Sequence, residues 1–151
     1  MAENNIKIIK HTITRLLARR EHSKSELFKK LIERDFEPDE CRQWIAKFCE
    51  SNIQSDQRFT ESLIRTRTGK GVGQRRILQE LKEHDIDPDV IANMFKEAQI
   101  DWFELAKKVF IKRFSEEAGT DWKARQKQQR FMYYRGFSQE QISYALESVE
   151  K

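Results

Sequence analysis

Phe36-Glu37-Pro38-Asp39, Ile86-Asp87-Pro88-Asp89 and Phe137-Ser138-Gln139-Glu140 start at positions 36, 86 and 137, a step of 50 and then 51 residues. Each introduces a segment with helical spacing of apolar residues. The downstream positions stay in step: Cys41, Ile91 and Ile142; Trp44, Met94 and Ala145; Ile45, Phe95 and Leu146. Upstream, Leu31, Leu81 and Met132 correspond, and Leu27 and Ile77 align, with Gln128 at that place in the third copy. A period of this size marks one supersecondary unit used three times, and such units bury their apolar faces by stacking in a row. The reading is three units, at 1–55, 56–99 and 100–151, in an elongated, curved array.

Working outward, caps and periodicity divide the units into helices. Ser23 with Glu26, Asp101 with Glu104 and Ser138 with Gln141 have capping-box spacing. Pro38 and Pro88 sit at first helical positions, the latter after an Asp87 cap. Nine helices are expected, near 6–20, 23–34, 38–51, 57–69, 73–84, 88–98, 101–115, 120–135 and 138–149. No alternating run suggests a strand, so the fold is all-α. Gly119 breaks the pattern between Glu116 and Thr120. Hydrophobic residues at 38% against 36% charged suit a thin, repeated core better than one thick globule.

Cys41 and Cys49, eight residues apart on one helix, stand roughly 12 Å apart along its axis, beyond disulfide reach, as expected in a reducing compartment. Ile6, Ile9, Ile13, Leu16 and Leu17 are spaced as a helix face rather than as a signal peptide. No stretch approaches the ~20 apolar residues of a membrane span. A cytoplasmic protein without a membrane partner is the expectation.

Charge alternates along the chain. Residues 1–20 carry +4, 21–56 −3, 57–82 +5, 83–106 −6, 107–135 +6 and 136–151 −2. If equivalent helices share faces, one side of the array is a basic stripe. Three basic places stand out. The first is Arg65-Thr66-Arg67-Thr68-Gly69-Lys70-Gly71-Val72-Gly73-Gln74-Arg75-Arg76, a glycine-rich turn. Its backbone N–H groups at a helix start, with Arg65, Arg67, Lys70, Arg75 and Arg76 around them, suit a phosphate or a partner's carboxylate. It is not a Walker A loop, since Gly71 follows Lys70 where Ser or Thr is needed and no strand precedes it. The second place is Lys123, Lys127, Arg130 and Tyr134, one face of a helix, with the basic and aromatic mix that tracks a single strand. Here Phe131 reads as core and Tyr134 as exposed. The third, Lys24, Lys29, Lys30 and Arg34 with Arg19 and Arg20, is diluted by Glu21, Glu26 and Glu33.

Chemistry of the catalytic kind finds no support. His11, His22 and His84 have no carboxylate or Cys at ligand spacing, and the acid pairs Asp39-Glu40 and Glu116-Glu117 sit at a helix start or in a loop. No catalytic residue, metal site or cofactor is expected.

Leu16-Leu17-Ala18-Arg19-Arg20-Glu21-His22-Ser23 with Glu26-Leu27, then Asp56-Gln57-Arg58-Phe59, Lys70-Gly71-Val72-Gly73-Gln74-Arg75-Arg76-Ile77 with Glu80-Leu81, Asp101-Trp102, and Arg130-Phe131 leading to Arg135-Gly136-Phe137-Ser138, resemble the RecX family of regulators of the RecA recombinase. The likeness runs in order through nearly the whole chain. It departs from the family at Val72, where an aromatic is usual, and at Gln74, where proline is. The resemblance implies three tandem three-helix units and a monomer without cofactor. It also implies binding to the RecA filament on single-stranded DNA, usually inhibiting ATP hydrolysis, strand exchange and filament growth, with DNA touched directly or through the filament.

The competing class is a tandem helix-turn-helix DNA-binding regulator. Its reading helices would be 38–51, 88–98 and 138–149, which carry Asp39, Glu40 and Glu50, Asp89 and Glu97, and Glu140 and Glu147. A net acidic reader is repelled by a phosphate-lined groove.

Overall fold

The computed structural model describes residues 2–114 and 121–150. Its elements are α1 (Ala2–Arg19), α2 (Lys24–Glu33), α3 (Pro38–Glu50), α4 (Asp56–Gly69), α5 (Gln74–Glu83), α6 (Pro88–Ala98), α7 (Trp102–Phe114), α8 (Trp122–Tyr134) and α9 (Gln139–Glu150). No strand occurs among the described residues. Each helix lies within a few residues of its expected place, except that α1 starts at Ala2 rather than near 6. The Glu116–Thr120 boundary, with Gly119 and the Glu116-Glu117 pair, lies outside the described residues.

Helix starts follow the capping chemistry with two departures. At Ser138 and Gln141 the box is reciprocal: the Ser138 N–H donates to Gln141 Oε1 at 2.9 Å and the Gln141 N–H to Ser138 Oγ at 3.2 Å. Ser23 and Asp101 make only half of it, accepting from the N–H groups of Glu26 at 3.0 Å and Glu104 at 3.1 Å. The reason is tertiary, because Glu26 turns to Arg20 and Lys30, and Glu104 accepts the Tyr144 hydroxyl. That bond raises the Tyr144 pKa. At α3 the cap is the Glu37 carboxylate, taking the Asp39 and Glu40 N–H groups at 3.1 and 2.9 Å, and these bonds lower its pKa.

The period seen in the apolar positions recurs in the backbone. The turn after α2 has Asp35 at φ 63°, that after α5 has Asp85 at φ 54°, and that after α8 has Gly136 at φ 103°. Asp tolerates this left-handed region through its short polar side chain, and Gly adopts it without steric cost. The aligned residues Leu31, Leu81 and Met132 are all 0% exposed, and Gln128 is buried in register with Leu27 and Ile77. Both cysteines are free thiols, and burial pushes the Cys41 thiol up.

The chain divides into two compact units, Met1–Ser62 with Lys82–Met94, and Leu63–Leu81 with Phe95–Lys151. In the first, α1, α2 and α3 meet around Ile9, Ile13, Leu27, Leu31, Cys41 and Ile45. In the second, α7 packs along α9 and α8 closes the core of Phe110, Met132, Phe137, Ile142 and Leu146. Each buried Leu or Ile contributes about 1.5–3 kcal/mol relative to exposure, so these faces outweigh the short helices' own propensity.

A candidate cationic interface

The glycine turn closes on itself and then on α8. The Lys70, Gly71 and Val72 N–H groups donate to Arg67, Thr68 and Arg67 carbonyls, each at 3.0 Å. Gly71 takes φ +78° to do so. Gly73 is needed for a different reason: a Cβ there would lie 2.4 Å from the Gly136 carbonyl carbon. The Gly73 N–H donates to Arg135 O at 2.7 Å and the Arg75 N–H to Gly136 O at 3.2 Å. Two N–H groups expected to face an anion at the start of α5 are therefore already met by backbone carbonyls.

The structure joins the two basic places that the sequence kept apart. Arg75 donates to the Tyr133 carbonyl and stacks 4.1 Å from the Tyr133 ring centroid, while Arg76 donates to Tyr134 O at 3.4 Å. Both guanidiniums complement the carbonyl end of α8. Arg67 pairs with Glu80 through two bonds of 2.9 and 2.7 Å, which raise its pKa; its charge is answered inside the unit. Arg65 is exposed but engaged. Lys70 is exposed, and its carbonyl accepts from Arg135 at 3.0 Å. On α8, Lys123, Lys127, Arg130 and Tyr134 are all exposed, Tyr134 at 69%, whereas Phe131 packs against the core.

Beside the turn lies a cleft of about 520 Å³. Its rim carries Lys70, Lys108, Lys112, Arg113 and Arg135, and its floor Leu105, Val109 and Phe131. The three α7 cations were not singled out from sequence. The doublets Lys107-Lys108 and Lys112-Arg113 were the available signal, within a block already known to be basic.

In the third basic place, in the first unit, two of the six cations share one carboxylate. Arg20 Nη1 lies 3.0 Å from Glu26 Oε1, and Lys30 is 3.7 Å from the same carboxylate. Burial pushes the Glu26 pKa up, but Arg20 leaves it lowered overall. A Ser–His contact exists nearby, Ser23 Oγ to His84 Nδ1 at 2.9 Å. Ser23 is 0% exposed and caps α2, so it offers no nucleophile to a substrate. Among the described residues no three His, Cys, Asp or Glu side chains gather as metal ligands. No helix among them is long and apolar enough to cross a membrane.

RecX sequence patterns match the chain three times, the first three-helix domain over residues 10–48, the second over 55–94 and the third over 99–146. The chain belongs to the RecX family. The "Regulatory protein RecX" of Vibrio vulnificus (strain CMCP6) is 42% identical over 137 residues, spanning 91% of this chain and 90% of that protein. That of Legionella pneumophila (strain Corby) is 37% identical over 136 residues, 90% and 91% of the two. A crystal structure of regulatory protein RecX matches with a TM-score of 0.79 at 21% identity, over 95% of this chain and 72% of that one. RecX from Lactobacillus salivarius matches at 0.78 and 18%, over 98% of both. The RecX likeness gives an all-α fold of three three-helix domains.

Many residues that carry the RecX resemblance turn out to be fasteners. Arg58 spreads over Glu21 (3.0 Å), the Asn52 side chain (3.0 Å) and the Asn52 and Ile53 carbonyls (2.8 and 3.0 Å). Asp56 accepts from the Lys24 N–H and from Gln54, both at 2.9 Å.

Proposed function

We propose that this chain, as a monomer in the cytoplasm, binds the RecA filament on single-stranded DNA and holds back its ATPase, strand exchange and growth. Its three-helix units, 1–55, 56–99 and 100–151, serve as the contact modules. The observation that carries this reading is the ordered threefold match to RecX domains, backed by relatives at about 40% identity along nine-tenths of the chain and named as regulatory proteins. Exposed cations support it, with Arg75, Arg76, Lys70 and Arg65 around the glycine turn and Lys123, Lys127 and Arg130 beside Tyr134 on α8. Arg67 acts there by holding Glu80 and the turn. Cations that neutralise phosphate give a salt slope of about 0.7 per contact on a single strand.

The mechanism is mechanical. A helical protein that bridges neighbouring filament subunits opposes the movements that accompany nucleotide turnover, and this action calls for no catalytic group of its own. The test is a titration into the cognate recombinase on circular single-stranded DNA. Substoichiometric protein is expected to lower ATP hydrolysis, and no change at several-fold excess overturns the proposal. Marked sequence preference on a duplex would favour the helix-turn-helix regulator instead.

A further inference from the structure

Lys108 and Lys112 stand one turn apart on α7, roughly 6 Å along its axis, and both are exposed. Among the described residues neither they nor Arg113 pair with a carboxylate. Lys70 shares the cleft's lining with them from the glycine turn, and among the described residues no acidic side chain lines the cleft. Such a rim calls for an anion, and the floor says which kind. Val109, Leu105 and Phe131 form an apolar base, against which a sugar–phosphate backbone gains nothing. A nucleic-acid base would need an open aromatic face. Phe131 does not offer one freely, because the Arg113 and Arg135 guanidiniums lie 5.3 and 5.1 Å from its centroid. A guanidinium presents a planar fork of N–H donors that suits two-pronged contact with a carboxylate. Arg135 already gives one of its N–H groups to the Lys70 carbonyl at 3.0 Å, which leaves Arg113 as the guanidinium of the rim for that contact.

We infer that this cleft docks an acidic polypeptide segment of the partner, with one apolar side chain on Val109 and carboxylates on Lys108, Lys112 and Arg113. The inference rests on the filament-binding reading and assigns the protein, rather than the DNA, to this face.

The test compares Lys108→Glu/Lys112→Glu with a control of equal charge change, Lys82→Glu/Lys96→Glu; all four are exposed helix positions, and circular dichroism checks the fold. Two probes are used, labelled dT36 alone and the recombinase filament assembled on dT36 with a slowly hydrolysed ATP analogue. Relative to the control, the cleft variant should bind the filament at least fivefold more weakly and dT36 equally well. Val109→Thr, close in shape but polar, should weaken filament binding without altering dT36 binding. A filament loss below fivefold overturns the assignment while leaving the regulatory reading in place. A parallel loss on dT36 overturns it in favour of phosphate. If the unaltered protein fails to bind the filament, both readings fall.

Discussion

The two compact units contain the same joint built in two ways. In the first, the start of α2 meets the turn after α5: Ser23 Oγ lies 2.9 Å from His84 Nδ1, and the Ser25 hydroxyl donates to Asp85 at 3.3 Å. In the second, the start of α5 meets the turn after α8, Gly73 donating to the Arg135 carbonyl at 2.7 Å and Arg75 to the Gly136 carbonyl at 3.2 Å. Ser23 and Gly73 are repeat equivalents, as are His84 with Arg135 and Asp85 with Gly136. One joint is held by side chain against side chain, the other by backbone against backbone, with the Arg75, Arg76 and Arg135 side chains reaching backbone carbonyls around it. A repeat therefore preserves where elements meet while leaving open which atoms make the contact. The freedom has a functional side. The backbone joint releases the side chains of Arg75 and Arg76 to lie over the exposed end of α8, whereas Ser23 and His84 are used up in their own contact.

The sharpest way to break this symmetry is Gly73→Ala. The added Cβ meets Gly136 backbone at 2.4 and 2.5 Å, and backbone cannot move aside as a flexible side chain can. Overpacking of this kind costs about 1–3 kcal/mol and at times more, so a loss near the top of that range is expected, measured by urea unfolding. Ser23→Ala attacks the other joint. It removes an N-cap and leaves His84 Nδ1 without the hydroxyl, for about 1–2 kcal/mol. A larger loss from Ser23→Ala than from Gly73→Ala would refute the distinction between the joints.

The smallest effect is a pH slope confined to the side-chain joint. His22 is 1% exposed, and burial lowers its pKa despite the Arg20 carbonyl at 3.0 Å from Nδ1. Lys30 Nζ lies 3.2 Å from Nε2, a geometry that suits the neutral ring with its proton on Nδ1. The unfolded chain takes up a proton as pH falls through about 6.5, while the folded His22 resists until lower pH. Stability should therefore be complete above pH 6.5 and decline below it, down to the lowered folded value. His22→Gln should flatten this slope between pH 7 and 5. Glu26, with a lowered carboxylate pKa, acts further into acid, its stabilising contribution being lost as pH falls through that lowered value. An unchanged slope in the His22 variant would place the titration elsewhere.

Much of the fold was legible because its signals are local or periodic. Leu27, Leu31, Cys41 and Ile45 announce a buried face by helical spacing alone, and the same face returns at Ile77, Leu81 and Ile91. Gln128 shows the limit, since a polar residue in an apolar register is buried all the same once its helix is seated. The candidate site was legible by charge and not by geometry. The glycine turn and α8 were each identified, yet the N–H groups expected to hold an anion are filled by Arg135 and Gly136, and Arg67 is met by Glu80. The cleft beside them went unseen because its cations come from three places, the glycine turn, α7 and the residue that follows α8.

The helices among the described residues, the likeness of the three-helix stretches, most of the caps and the blocks of charge are encoded locally, because helical periodicity and capping act over three or four residues and a repeat copies them. Only the tertiary structure decided what those residues touch. Arg75 reaches Tyr133 and Gly73 reaches Gly136 across about 60 residues of chain, and contacts at that separation depend on how packed helices set two turns side by side. No local rule encodes that distance; it follows from the burial of Phe110, Met132 and Phe137 beneath them.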